Sequence, residues 1–271
     1  MSCLKNLDKP KQPHKVAATS KKQSFLLVVF LPFFFTAPLK AQQLIINAND
    51  GKISGQDTVM LKRLIKYEAY VYNGLFDKQI PDSLPVVVNL YKSRKQFLEV
   101  RNAQNAAITK TGFYSSRSRQ CYIYYGDDYI NVTVHEVSHL LMHYHNYYGV
   151  PHWINEGMAE FFEGLYINEK NAIYVDQQTG RLQKLKGYIS SGELDMNKYF
   201  GPEMSSWSNK QDIDLKYNVA YGIIYFIIKT HPEYIKQILT SLKKGESSTT
   251  ALANSYGSFE FFVSRFKAFY R

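Results

Sequence analysis

Cysteine is nearly missing from this chain. Its 271 residues hold two, Cys3 and Cys121, and only Cys121 remains once the extreme N-terminus is set aside. An internal disulfide is then excluded. Cys121 sits in the apolar, aromatic stretch Cys121-Tyr-Ile-Tyr-Tyr125 and is expected to be buried and inert. No cysteine adjoins a signal cleavage point, so a lipoprotein anchor is not expected. Long apolar runs are missing too. The run Phe25–Leu39 is about 15 residues and is interrupted by Pro32 and Pro38, short for a spanning helix of about 20 residues. There is no internal repeat and no low-complexity linker. With 45% hydrophobic and 15% aromatic residues, the chain is too apolar for a disordered protein. That content suffices for one packed core, or for two lobes sharing an interface.

What the N-terminus does contain is basic. Residues 1–24 carry six Lys, one Asp and no Arg, and the apolar run follows, ending in Lys40-Ala41. A basic stretch, a short apolar core and a small residue read as a signal peptide over residues 1–41, cleaved after Ala41. An uncleaved signal anchor is the alternative. Residues 1–41 hold seven Lys and one Asp, so of the overall +10 only about +4 belongs to the remainder. The high pI is mostly a targeting property and is no argument for a nucleic-acid partner. The expectation is an exported protein, secreted or held in the periplasm or cell envelope. It would keep no stable membrane span after cleavage.

The remaining chain, 42–271, reads as a single domain with an α+β lobe to about residue 148 and a helical lobe over 149–271. Apolar residues at helical spacing predict a helix over Thr58–Phe76. Pro85–Tyr91 reads as a buried strand, and Ser93–Val100 as a short capped helix. Gly112–Ser116 and Gln120–Tyr125 read as two strands joined by the turn Arg117-Ser118-Arg119. Asp127 can cap a helix running to about Tyr147, with a break at Gly149-Val-Pro151 and a second helix over Trp153–Tyr166. After Gly180 the pattern is mainly helical. The clearest helix there runs from Leu215 to Lys229, with Asp214 as its cap and Pro232 opening the next.

His135-Glu136-Val-Ser-His139 matches H-E-x-x-H. On a helix, positions i and i+4 share a face, so both imidazoles can reach one ion. Glu136 is rotated about 100° from His135, beside such an ion rather than on it. That is where a base must stand to take a proton from water. The competing reading is a helix with two unrelated histidines. The following segment, Trp153-Ile-Asn-Glu-Gly-Met-Ala-Glu160, shifts the balance, with sixteen residues between His139 and Glu156. The first helix continues about two turns, or ~12 Å, past His139. The break then lets the chain return over the same distance, bringing Glu156 level with the histidines. Two neutral imidazoles, one carboxylate and an open position form a known catalytic zinc set. Glu160, one turn on, is placed to accept from the distal N–H of a ligating imidazole. A solvated helix charge is its plainer reading.

These two motifs, H-E-V-S-H and W-I-N-E-G-M-A-E, resemble those of the gluzincin metallopeptidases, in particular the small secreted peptidase MA-like members. The resemblance covers roughly Leu84 to Tyr225. It implies a zincin-like fold: α+β, with a mixed N-terminal sheet, an active-site helix and a mainly helical C-terminal lobe. It also implies Zn²⁺ held by His135, His139 and Glu156, and a peptide or protein substrate paired to an edge strand within Gly112–Tyr125. The expected activity is hydrolysis of peptide bonds, with Glu136 as general base. One departure bears on the subclass. Aminopeptidase types carry an acidic segment that captures the substrate amine. Here no Asp or Glu occurs between Glu99 and Asp127, where Arg101, Lys110, Arg117 and Arg119 stand instead. An endopeptidase is therefore expected. Those basic residues can favour acidic substrates, or be solvated turn charges.

Tyr217-Asn-Val-Ala-Tyr221 resembles the tyrosine-bearing helix of the same group. Tyr221 is the first candidate for oxyanion donor and Tyr217 the second; the plain alternative makes both core aromatics. His143, His145 and His152 are not expected to be ligands, and the sequon Asn131-Val-Thr133 lies inside the expected active-site helix. A catalytically silent zincin-like binding domain of the cell envelope is the main alternative to an enzyme. The intact Glu136 argues against it, because a structural metal site has no use for a base there.

Overall fold

The computed structural model describes residues 43–49, 51–76, 79–104, 106, 110–147, 149–201, 207 and 212–271. The expected signal peptide lies outside the described residues. The fold is α+β, with a small mixed sheet and many helices.

The chain opens with β1 (Gln43–Ala48), α1 (Gly55–Leu75), β2 (Pro85–Tyr91) and α2 (Arg94–Ala103). Next come β3 (Gly112–Ser115), β4 (Gln120–Tyr124), α3 (Tyr129–Tyr144) and α4 (His152–Glu163). The sheet order is β1-β2-β4-β3. β1 pairs parallel to β2 and β2 parallel to β4, while β3 pairs antiparallel to β4 through Gly112↔Ile123 and Tyr114↔Cys121. β3 is thus an edge. One face of the sheet packs on α1 and α3, burying Val86, Val88, Cys121 and Ile123 in the main core. The other face is closed by α2 through an aromatic cluster of Tyr91, Phe97, Phe113 and Tyr122. Cys121 is fully buried, and burial pushes its thiol well above the ordinary range.

Helix ends follow local chemistry. Ser54 Oγ accepts from Asp57 N–H at 2.9 Å, so α1 begins earlier than the expected Thr58. α3 stops short of the expected Tyr147. Asn146 is left-handed (φ 63°), and the bonds Asn146 N–H→His143 O and Tyr147 N–H→Met142 O, both 2.9 Å, close a Schellman turn. Asn tolerates that conformation almost as Gly does, so the helix ends before Gly149 is reached.

After α4 come the hairpin β5 (Leu165–Ile167) and β6 (Ile173–Val175). The hairpin replaces the helical end expected toward Tyr166. The helices α5 (Thr179–Ser190), α6 (Met196–Tyr199), α7 (Ile213–Thr230), α8 (Tyr234–Lys243), α9 (Ser248–Tyr256) and α10 (Phe259–Tyr270) follow. α7 is the spine of this half, and α4 packs along it. Gly157 makes that crossing possible: a Cβ there would stand 2.6 Å from Ala220 O and 2.7 Å from Ile224 Cγ1. No helix among the described residues is long and apolar enough to cross a membrane.

Candidate metal centre

Two helices build the site. α3 carries His135, Glu136 and His139; α4, returning antiparallel after the turn at Asn146, carries Glu156. Glu156 Oε2 lies 3.6 Å from His135 Nε2 and 3.7 Å from His139 Nε2. The three ligand atoms fall within 4.8 Å of one another. These separations are too long for hydrogen bonds, and Glu156 Oε2 is a buried oxygen that makes none. Three donor atoms therefore converge without satisfying each other, a cost of roughly 1–3 kcal/mol for a buried polar atom. A cation between them removes that cost. The donor set, two imidazole nitrogens and a carboxylate, suits zinc.

The far sides of both rings are tied. His135 Nδ1 meets Glu163 Oε2 at 3.2 Å, and His139 Nδ1 meets Asn155 Oδ1 at 3.2 Å. An outward Nδ1–H directs the Nε2 lone pair inward, as a metal ligand requires. Glu160, the residue expected to accept from an imidazole, is turned elsewhere. Its carboxylate lies 2.5 Å from Arg181 Nη2. Glu163, seven positions after Glu156 and on the same helix face, occupies the expected place. Glu160 and Glu163 also cluster with His135, but Arg181 already supplies that group with a cation.

The electrostatics favour positive charge at the centre. Burial alone would lower the basicity of His135, yet its contacts with Glu156 and Glu163 outweigh burial and hold its pKa well above the ordinary value. Burial opposes the charge of Glu156 as well, but His139 and His135 bring its pKa down to about 2. Burial pushes Glu160 up to about 8, His135 and Arg181 opposing it. For Glu163 the bond to His135 wins over burial and holds the carboxyl down.

Glu136 stands apart from this ligand set. It is buried, and burial raises its carboxyl while His135 and His139 lower it. The backbone N–H of Tyr114 on β3 hydrogen-bonds to it. β3 comes this close because residue 112 is glycine: a Cβ there would stand 2.5 Å from Val132 Cγ1 and 3.2 Å from Glu136 Cγ. Behind α3, Ser138 Oγ shares a 2.6 Å hydrogen bond with Tyr72 OH. Glu68 is fully buried nearby, its carboxyl pushed well up by burial.

The two tyrosines separate. Tyr221 is completely buried, and its hydroxyl accepts from Gln178 N–H at 3.0 Å. Tyr217, one turn earlier on α7, is the tyrosine at the site. Burial raises its hydroxyl pKa, and the nearby charges of Glu156, Glu160 and Glu136 raise it further. Asn155, Glu163 and Arg181 were not singled out in the sequence. Asn155 precedes Glu156 in the second motif and Glu163 repeats its face, so both carried a signal; Arg181 carried none. No protein-family model matches the chain, and no curated protein matches it.

Proposed function

We propose that the chain is a zinc-dependent metallopeptidase with a zincin-like fold, exported to the envelope or beyond, and that it cleaves peptide bonds as an endopeptidase. The observation that carries this is the convergence of His135 Nε2, His139 Nε2 and the orphaned Glu156 Oε2, with both Nδ1 atoms tied outward. A base that is not part of this set, Glu136, lies beside it.

His135, His139 and Glu156 would hold the zinc, which when bound would supply Lewis acidity toward a carbonyl and water. Glu136 takes the proton of the attacking water and returns it to the leaving amine. Its burial keeps the carboxylate poorly solvated and more basic than usual, which suits both transfers. Tyr217 holds its proton firmly, so it can donate a hydrogen bond to the developing oxyanion. Glu163 and Asn155 orient the two imidazoles. β3, an edge strand of the sheet among the described residues, gives an extended peptide a backbone to pair with. The stretch between Glu99 and Asp127 holds no carboxylate to capture a terminal ammonium, which favours internal cleavage.

Metal analysis and peptide digestion test this together. Purified protein is expected to hold one zinc per chain, lost when His135 and His139 are both changed to Ala. Glu136→Gln should keep zinc and lose about 10²–10⁴-fold in peptide hydrolysis, the range for a general base. Equal rates for wild type and Glu136→Gln would exclude the mechanism. Zinc binding and peptide binding without cleavage would make the chain a silent binding domain.

A further inference from the structure

A cavity of about 570 Å³ opens at the C-terminal end of α3, between that helix, the start of β2 and the β3–β4 turn. Its walls include Leu84, Pro85, Val87 and Leu140, and its polar groups include Arg119 and His143. None of its lining residues is acidic. Arg119 is exposed and forms no ion pair among the described residues. Burial and the charge of Arg119 both lower the basicity of His143, so Arg119 is the cation here. The backbone holds Arg119 in place at some cost. Its φ is 56°, a region where Asn, Asp or Gly is more at ease, and its N–H closes the turn on Ser115 O at 2.7 Å.

One lining residue, Tyr114, ties the cavity to the candidate centre. Tyr114 gives its backbone N–H to Glu136, and its hydroxyl meets His143 Nδ1 at 2.7 Å. His143 lies one turn past His139, about 6 Å along the helix. An extended peptide advances about 3.3 Å per residue. A peptide paired to β3 therefore brings a side chain about two residues from its cleaved bond to the cavity mouth.

We propose that this cavity is a specificity pocket for an acidic side chain of the substrate, glutamate in particular, with Arg119 as its anion-binding residue. The proposal rests on the peptidase reading given above. Apolar walls and a single cation fit a side chain with methylenes and a terminal carboxylate.

The test uses acetylated, amidated peptides that carry Glu, Gln or Lys at each of the three positions on either side of one cleaved bond. A further Gln peptide keeps its free C-terminal carboxylate. At one position, Glu should be preferred over Gln by about two- to five-fold in KM, the range that an exposed ion pair supplies, with Lys worst. Arg119→Asn suits the left-handed turn and should bring the Glu-to-Gln ratio to about one. Arg119→Glu should reverse the order of Glu and Lys. Arg117→Asn, on the same turn, should leave the ratio alone. Calorimetric binding of the same peptides to the Glu136→Gln protein should follow the same order, without turnover. Equal handling of Glu, Gln and Lys overturns the pocket and leaves the peptidase. Preference for the free C-terminal peptide also overturns it, in favour of a terminal carboxylate. No cleavage and no binding of any peptide overturns both readings.

Discussion

The two walls packed against α3, the helix α4 and the β3–β4 hairpin, carry opposite charge. On the helical side, α4 places Glu156, Glu160 and Glu163 within two turns, and Arg181 offsets part of that charge. On the sheet side, the β3–β4 hairpin has the cations Arg117 and Arg119 and no carboxylate. The acidic wall holds the imidazoles and lowers the energy of a cation between them. Arg119 of the hairpin lines the cavity at the end of α3, and a carboxylate there would repel acidic substrate rather than bind it. Each wall reaches α3 or α7 through a glycine, but the two contacts differ in kind. Gly112 abuts side-chain carbons, chiefly Val132 Cγ1, whereas Gly157 abuts the carbonyl of Ala220.

The largest expected effect of breaking the helical wall is on chemistry. Tyr217→Phe should lower kcat by roughly 10²–10³-fold if its hydroxyl is the oxyanion donor, with zinc content unchanged; an unchanged kcat would remove Tyr217 from the mechanism. Next comes the Gly157 contact. Gly157→Ala should cost about 1–3 kcal/mol by overpacking against the α7 backbone, read as a fall in Tm of about 2–4 °C per kcal/mol. Gly112→Ala should cost less, because the added methyl meets side-chain carbons rather than a backbone carbonyl; a larger loss at Gly112 would reverse the comparison of the two walls. Third, Glu163→Gln should weaken zinc affinity by about 10–100-fold, measured by competition with a chelator. Glu160→Gln should weaken it less, since Glu160 faces Arg181. The smallest effect belongs to Tyr221→Phe. It leaves the Gln178 N–H without its partner and should cost about 1 kcal/mol of stability, with kcat unaltered.

Much of the site was legible before any coordinates because it depends on spacing within a helix. His135 and His139 share a face on any α-helix, and Glu136 is rotated away from them on any α-helix. The return of Glu156 needed only a turn of the right length. Other features were misread for local reasons. α3 was expected to run to the break at Gly149, but Asn146 adopts the left-handed conformation that glycine usually supplies. The expected helical stretch to Tyr166 gives way at Gly164 to a hairpin, whose strands have only three residues each and little periodicity to read.

The sequence by itself determined which residues stand on one helical face and that the chain between Glu99 and Asp127 has no carboxylate. Tertiary packing alone decided between near neighbours. Tyr217 and Tyr221 lie one turn apart on α7 and Glu160 and Glu163 three residues apart on α4, so periodicity ranks neither pair. The choice comes from how α4 crosses α7 at Gly157, which turns Tyr217 toward Glu156 and leaves Tyr221 to Gln178. Helical spacing is a local geometric constant, whereas the rotation of one helix against another is set by the contacts along the whole crossing.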